Sequence, residues 1–564
     1  MHIRKTLTAR IESAFAELGL QGNALVQASS RPEHGDYQAN GVMAAAKRAG
    51  RNPREVAAAV LQNLRLDDVA TRVEIAGPGF LNITLASDYL AQVDAAQVAP
   101  GKPQETVVVD YSAPNLAKEM HVGHLRSTVI GDCIARVLEA QGHRVVRQNH
   151  VGDWGTQFGM LLTYLADTGE GSGELADLEE FYRAAKTRFD QDPDFQARSR
   201  SAVVALQAGD ANALSVWQHF INVSMSHCQE IYDRLGVTLS AQDTQGESAY
   251  NDDLVNVIQD LDTAGLVTES DGASCVFLEE FKTKKGEILP VIVRKSDGGY
   301  LYATTDLAAI RYRNRTLQAN RVLYFTDARQ ALHFRQVFAV ARAAGFNTNS
   351  ASLEHMPFGA MLGNDGKPFK TRAGGVIKLA DLLDEAEQRA TKLVQAKNSE
   401  LSAAEANALG KVIGIGAVKY ADLCKNRTSD YVFDWDQMIS FEGNTAPYLQ
   451  YAYTRIQSIF AKGGVTPAEL PTQTLSSDEA ERQLAVAIAG FNDAIEAVSA
   501  DGLPHLLCGY LYDLATRFTH FYEACPILSS EGQVRERRLV LANQTGQTLK
   551  QGLHFLGIGV VDRM

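Results

Sequence analysis

The stretch that most constrains this chain is residues 105–125, Glu-Thr-Val-Val-Val-Asp-Tyr-Ser-Ala-Pro-Asn-Leu-Ala-Lys-Glu-Met-His-Val-Gly-His-Leu. A valine run ending at Asp110 is broken at Pro114, and a stripe of Leu125, Val129, Ile130, Cys133, Ile134, Val137 and Leu138 then runs to Gly142, with Val145 and Val146 opening another strand. This pattern predicts a right-handed βαβ unit. A helix start at the carboxyl end of a parallel strand offers free N–H groups and partial positive charge, which suits a phosphate. His121 and His124 flank Gly123 at that start. Two imidazoles can converge there on a phosphate, and the missing side chain at Gly123 lets a flat base lie against the backbone. Taken alone, His-x-Gly-His reads more readily as two surface histidines beside a turn glycine; its place after the strand shifts the reading towards a phosphate site.

With Ser-Ala-Pro-Asn-Leu-Ala-Lys-Glu-Met at 112–120 and Asn-His-Val-Gly-Asp-Trp-Gly-Thr-Gln-Phe-Gly at 149–159, the segment closely resembles class I arginyl-tRNA synthetases. The resemblance extends from Gly35-Asp36-Tyr37-Gln38-Ala39-Asn40 to Leu556-Gly557-Ile558 and Asp562-Arg563-Met564, nearly the whole chain. It implies an α/β architecture: a Rossmann-like class I catalytic domain with a helical insertion, an N-terminal α+β domain, and a C-terminal all-α anticodon-binding domain. The expected boundaries are 1–99, 100–435 with the insertion at about 166–245, and 436–564.

Bulk properties agree with that organisation. A chain of 564 residues is too long for one core. No apolar run approaches the ~20 residues of a membrane span, and the six cysteines are too scattered for a zinc knuckle or a disulfide framework. A soluble monomer in a reducing cytoplasm, with no resident metal, is expected. The net charge of −13 argues against nonspecific coating of nucleic acid. It leaves room for a folded RNA, which needs only local basic and aromatic surface.

Along the chain, Asn52-Pro53 predicts a helix cap and first-turn proline, and Gly77-Pro78-Gly79 a hairpin between 73–75 and 80–83. In the resembling family this domain contacts the outer corner of the tRNA, which makes Tyr37, Gln38 and Asn40 candidates for that contact; a loop-and-core reading stands equally beside it. Strands at 276–278 and 291–294 are expected to resume the nucleotide-binding fold, followed by another strand and helix start over 298–308 and a strand at 322–325. Residues 363–375, Gly-Asn-Asp-Gly-Lys-Pro-Phe-Lys-Thr-Arg-Ala-Gly-Gly, read as a phosphate-contacting loop or a solvated hairpin. Beyond Trp435 the spacing is helical.

The resemblance implies activation of L-arginine with ATP and Mg²⁺, then transfer to the 2′-hydroxyl of the terminal adenosine of tRNA(Arg), with activation dependent on bound tRNA. The substrate carboxylate is itself the nucleophile, so the protein need only stabilise charge on the phosphate. Mapped onto this chain, the family motif gives His121, His124, Lys118 and Lys370 as catalytic, and His121, Gly123, His124 and Lys370 as ATP-binding. A guanidinium calls for carboxylates. Asp110, Tyr302 and Asp306 would surround it, with Pro114, Asn115, His124 and Gln330 at the amino-acid end. Some relatives carry Glu where this chain has Asp110. Many class I synthetases place Lys-Met-Ser-Lys-Ser over the phosphates, whereas this chain has Phe369-Lys370-Thr371-Arg372-Ala373-Gly374-Gly375, one lysine short. Lys118 is the expected substitute. A non-tRNA nucleotidyltransferase would not need the helical residues after Trp435, and a silent tRNA-binding paralogue would not need the intact His121, Gly123, His124 and Asp306. A glutamyl or cysteinyl enzyme would want a cation or a thiol-binding metal in the pocket.

Overall fold

The computed structural model describes the chain except residues 1, 30, 32–33, 93–96, 102, 170–177, 348–350, 370–376 and 471–477. Two compact units result, one of residues 101–439 with 555–558, the other of 1–100, 440–554 and 559–564.

The first unit is built on a four-stranded sheet in the order Ser352–His355, Arg321–Tyr324, Thr106–Asp110, Arg144–Gln148. All three pairings are parallel. The valines of Thr106–Asp110 are buried on both faces, as a strand covered by helices requires. The predicted helix, Val122–Ala140, links this strand to Arg144–Gln148, and Ala331–Ala343 links Arg321–Tyr324 to Ser352–His355. Connections therefore leave the central pair in opposite directions. Where strand order reverses, the carboxyl ends open a crevice, and that is where such folds bind ligands.

One expectation needs correction. The strands at 276–278 and 291–294 exist, but within Ala273–Lys282 and Ile288–Arg294 of a separate antiparallel sheet with Val267–Ser270. Their alternating buried and exposed residues mark a half-solvated sheet, not the continuous apolar run of a parallel one. In the region of the expected insertion, Thr156–Thr168 packs on Pro193–Gln207, and Ala211–Leu235 follows.

In the other unit, an antiparallel sheet in the order Val26–Ala28, Tyr37–Ala39, Phe80–Leu85, Ala70–Ala76 packs with Ile3–Glu17, Gly41–Arg48 and Pro53–Asn63. Asn52 caps the last of these by accepting the N–H of Arg54 at 2.9 Å, with Pro53 at the first helical position. Tyr37 is a core residue whose hydroxyl donates to Asp493 at 3.1 Å, and Gln38 donates to Asn82 at 2.8 Å. Asn40 packs its Oδ1 out of solvent. Tyr37 thus sits in the core, while Gln38 and Asn40 are half-buried. Helices Ala446–Gly463, Glu479–Ala489, Phe491–Asp501, His505–Ala524 and Gly532–Phe555 complete the unit.

Candidate active site

A cavity of about 910 Å³ opens beyond the carboxyl ends of Thr106–Asp110 and Arg321–Tyr324, bounded by Asp110 at the end of its strand and by Ser112, Phe325 and Thr326 just past the strands. Its wall includes most of the residues singled out above: Asp110, Asn115, His121, Gly123, His124, Tyr302, Asp306 and Gln330. Residues from 110 to 369 meet there, so the site is assembled by topology.

The two histidines are locked by the helix start. His121 is the N-cap of Val122–Ala140; its Nδ1 accepts the N–H of Gly123 at 3.0 Å, while Nδ1 of His124 accepts the N–H of His121 at 3.1 Å. This is a capping box made of imidazoles. An Nδ1 that accepts must be bare, so each ring carries its proton on Nε2 and keeps that donor for another partner. Burial, helped by the Lys118 charge, holds His121 below the usual imidazole range, and burial followed by His121 pushes His124 down to about 3. Both are neutral donors at pH 7. The ring centroids stand 4.0 Å apart, close enough to address one phosphate.

The loop before them is strained and tied down. Ser112 and Ala113 take φ of 69° and 46°, a region unfavourable for residues with a Cβ. They are held there because Ser112 N–H donates to Ser127 Oγ at 2.9 Å and Ala113 N–H to Asn149 Oδ1 at 3.0 Å. Pro114 is buried outside the cavity wall; its carbonyl accepts the N–H of Gly152 at 3.0 Å. It shapes the loop through its backbone. Asn115 does line the cavity, with Oδ1 accepting the N–H of Ala117 at 3.1 Å.

The carboxylates are arranged differently from expectation. Asp110 Oδ2 lies 2.7 Å from Nη2 of the chain's own Arg313, so a resident guanidinium already engages the carboxylate expected beside the substrate. Asp306 accepts from His333 Nε2 at 2.6 Å. Burial works against charge on His333, but the hydrogen bond and charge of Asp306 carry its pKa up. Tyr302, 60% exposed, reaches the cavity one turn before Asp306 on Tyr302–Arg315. Glu247 was not legible in the sequence. It closes the same end of the cavity, where burial first, then the charges of Asp153 and Asp306, push its pKa up to about 8. It sits in a short 3₁₀ turn, Glu247–Tyr250, after the insertion, where no motif or periodicity marks it.

Lys118 is not in the cavity wall; its ammonium lies 4.5 Å from the ring centroid of Tyr182, close enough to depress both histidines. Gly363–Phe369 forms a tight hairpin, with Gly363 N–H donating to Lys367 at 2.8 Å and Phe369 N–H to Met361 at 3.1 Å, and Pro368 and Phe369 at the cavity. Lys370 and Arg372 lie outside the described residues. The segment resumes against the signature itself: Val122 N–H donates to Ile377 at 3.1 Å and Leu379 N–H to Met120 at 2.9 Å.

A parallel sheet with its switch point above a histidine-capped helix is the architecture of a class I aminoacyl-tRNA synthetase, and residues 86–435 match the model for the class I (R) tRNA synthetase catalytic domain. Residues 1–85 match the arginyl tRNA synthetase N terminal domain and 449–564 the DALR anticodon binding domain. The chain is 56% identical over 577 residues to the arginine–tRNA ligase of a Marinomonas species, and 56% over 578 to that of Hahella chejuensis, covering 100% of each chain in both cases. It belongs to the arginine–tRNA ligase family. Among solved structures, Plasmodium falciparum arginyl-tRNA synthetase superposes with a TM-score of 0.87 at 30% identity, covering 100% of this chain and 99% of that one. The Thermus thermophilus enzyme gives 0.86 at 24% over 100% of both, a likeness of fold.

Proposed function

We propose that the cavity activates L-arginine with MgATP and passes it to the 2′-hydroxyl of the terminal adenosine of tRNA(Arg). The observation that carries this reading is the imidazole capping box. It fixes two neutral Nε2–H donors at a helix start beside a group of carboxylates. The α-carboxylate of arginine attacks the α-phosphate; the histidines and the helix N-terminus stabilise the charge that grows on the phosphate oxygens, and pyrophosphate leaves. Being neutral, the donors exchange no proton in the step. Mg²⁺ enters as the counter-ion of ATP and is held mainly by phosphates, as suits an ion that keeps much of its water.

At the other end, Asp306 and Glu247 receive the guanidinium with Tyr302 beside them, while Asn115, His124 and Gln330 hold the amino-acid end. A lysine there would leave carboxylate lone pairs unmatched, so discrimination needs no hydrolytic site. Among the described residues no helix is long and apolar enough to cross a membrane. We place the protein in the cytoplasm, acting as a monomer.

Exchange of labelled pyrophosphate into ATP, run with each standard amino acid and with or without tRNA, tests the assignment. Arginine alone should support exchange, and only with tRNA present. Exchange driven by glutamate or cysteine would sink the substrate, and robust exchange without tRNA would reject the dependence.

A further inference from the structure

Asp110, Gln148 and Tyr324 form one row across the parallel sheet: Asp110 is register partner to Gln148 on one side and to Tyr324 on the other. They are the last residues of three adjacent strands. A single side chain touches all three. Arg313, 1% exposed, sets Nη2 2.7 Å from Asp110 Oδ2, donates Nε–H to Gln148 Oε1 at 2.6 Å, and lies 5.0 Å from the ring centroid of Tyr324. A planar guanidinium suits this combination: one nitrogen pairs with the carboxylate, another donates to the amide oxygen, and the face lies against the ring.

Arg313 stands two turns after Asp306 on Tyr302–Arg315, and at 3.6 residues per turn Tyr302, Asp306 and Arg313 fall on one face. The face that presents the substrate-facing tyrosine and carboxylate is therefore pinned to the sheet by this guanidinium. Its pairing also engages Asp110, which leaves Asp306 and Glu247 as the carboxylates that meet the substrate.

We propose that Arg313 is a positioning residue for arginine selection: it fixes the helix bearing Tyr302 and Asp306 against the strand ends and holds Asp110 in reserve. This rests on the arginine-activating reading above. Wild-type exchange with arginine is measured first, so failure of that reading shows before any variant is made.

The test compares R313K, R313Q and D110N/R313Q by arginine and ATP KM in pyrophosphate exchange, with thermal unfolding as the control for folding. R313K keeps the charge but lacks the fork, and should raise the arginine KM about tenfold while the ATP KM moves less than about twofold. R313Q should be worse, because it leaves Asp110 unpaired. D110N/R313Q removes both charges and keeps hydrogen-bonding side chains, so it should recover part of the arginine KM lost in R313Q. An unchanged arginine KM in R313K, equal rises for arginine and ATP, a double variant no better than R313Q, or loss of the fold in the double variant would each overturn the proposal and leave Arg313 a purely structural residue.

Discussion

His124 accepts the backbone N–H of His121 at 3.1 Å, so the second histidine of the signature holds the first in its capping position. Gly123 is the third part of the device. A Cβ built there would lie 2.7 Å from Cε1 and 2.9 Å from Nδ1 of His121, inside any real contact distance. Gly123→Ala should therefore swing His121 off its cap with the helix still formed. Single-turnover adenylate formation is expected to fall at least about tenfold, while circular dichroism and the melting temperature stay close to wild type. A rate near wild type would show that the cap does not set the donor.

Glu247 predicts a pH dependence of arginine binding. Its carboxyl is pushed up to about 8 in the free protein, so at pH 7 it is mostly protonated, and an incoming guanidinium favours the ionised form. Binding should release a proton. Affinity should rise with pH up to about 8 and level off above it. Calorimetry in buffers of different ionisation enthalpy measures the proton directly, and Glu247→Gln should remove the part of the release and slope above neutral pH, leaving that of His333, which its bond to Asp306 keeps protonated. The linkage to folding has the opposite sense. With the folded pKa above the ordinary 4.5, the carboxyl costs nothing below that value, and stability is lost as pH rises from there to about 8. A free protein more stable at pH 8 than in Glu247→Gln would contradict this.

How much of this was legible in the sequence depends on the range of the interactions. The strand to Asp110, the helix from Val122 and the cap at Asn52 are set by neighbours within a few residues, and local periodicity revealed them. Membership of the cavity was legible for Tyr302, Asp306 and Gln330 only through the resemblance, because nothing local distinguishes them from other helix-start residues. What stayed hidden was long-range pairing. Arg313 meets Asp110 across 203 positions and Gln148 across 165, and Glu247 owes its role to Asp153 and Asp306, so no spacing rule could find them. The core position of Tyr37 was hidden for the same reason: its partner, Asp493, is 456 residues away.

Asp306→Asn separates substrate recognition from architecture. Asp306 faces the cavity and pairs with His333, which its charge helps to keep protonated. Removing that charge should raise the arginine KM by at least about tenfold and leave the ATP KM nearly unchanged, since the loss is of a contact to one substrate. Equal damage to both constants would make Asp306 a structural residue.

The division of work between Lys118 and the later loop gives the last prediction. The loop from Phe369 carries one lysine fewer than the common class I pattern, and Lys370 lies outside the described residues. Lys118 stands three residues before His121, near enough for its charge to depress both histidines, but its ammonium rests over the Tyr182 ring. A cation–π contact of this kind stabilises by only about 0.5–1 kcal/mol where solvent has access, so a triphosphate can draw the ammonium away. Lys118→Ala should then lower single-turnover adenylate formation by the ~10²-fold typical of losing one charge-stabilising donor, and Lys370→Ala should also be harmful, with the fold intact in both. Tyr182→Ala supplies the control. It frees the ammonium without removing it, so the rate should hold near wild type or rise. A near-normal rate in Lys118→Ala would give the phosphate contacts to the later loop alone, and a Tyr182→Ala variant as damaged as Lys118→Ala would mean that the lysine acts from its place over the ring.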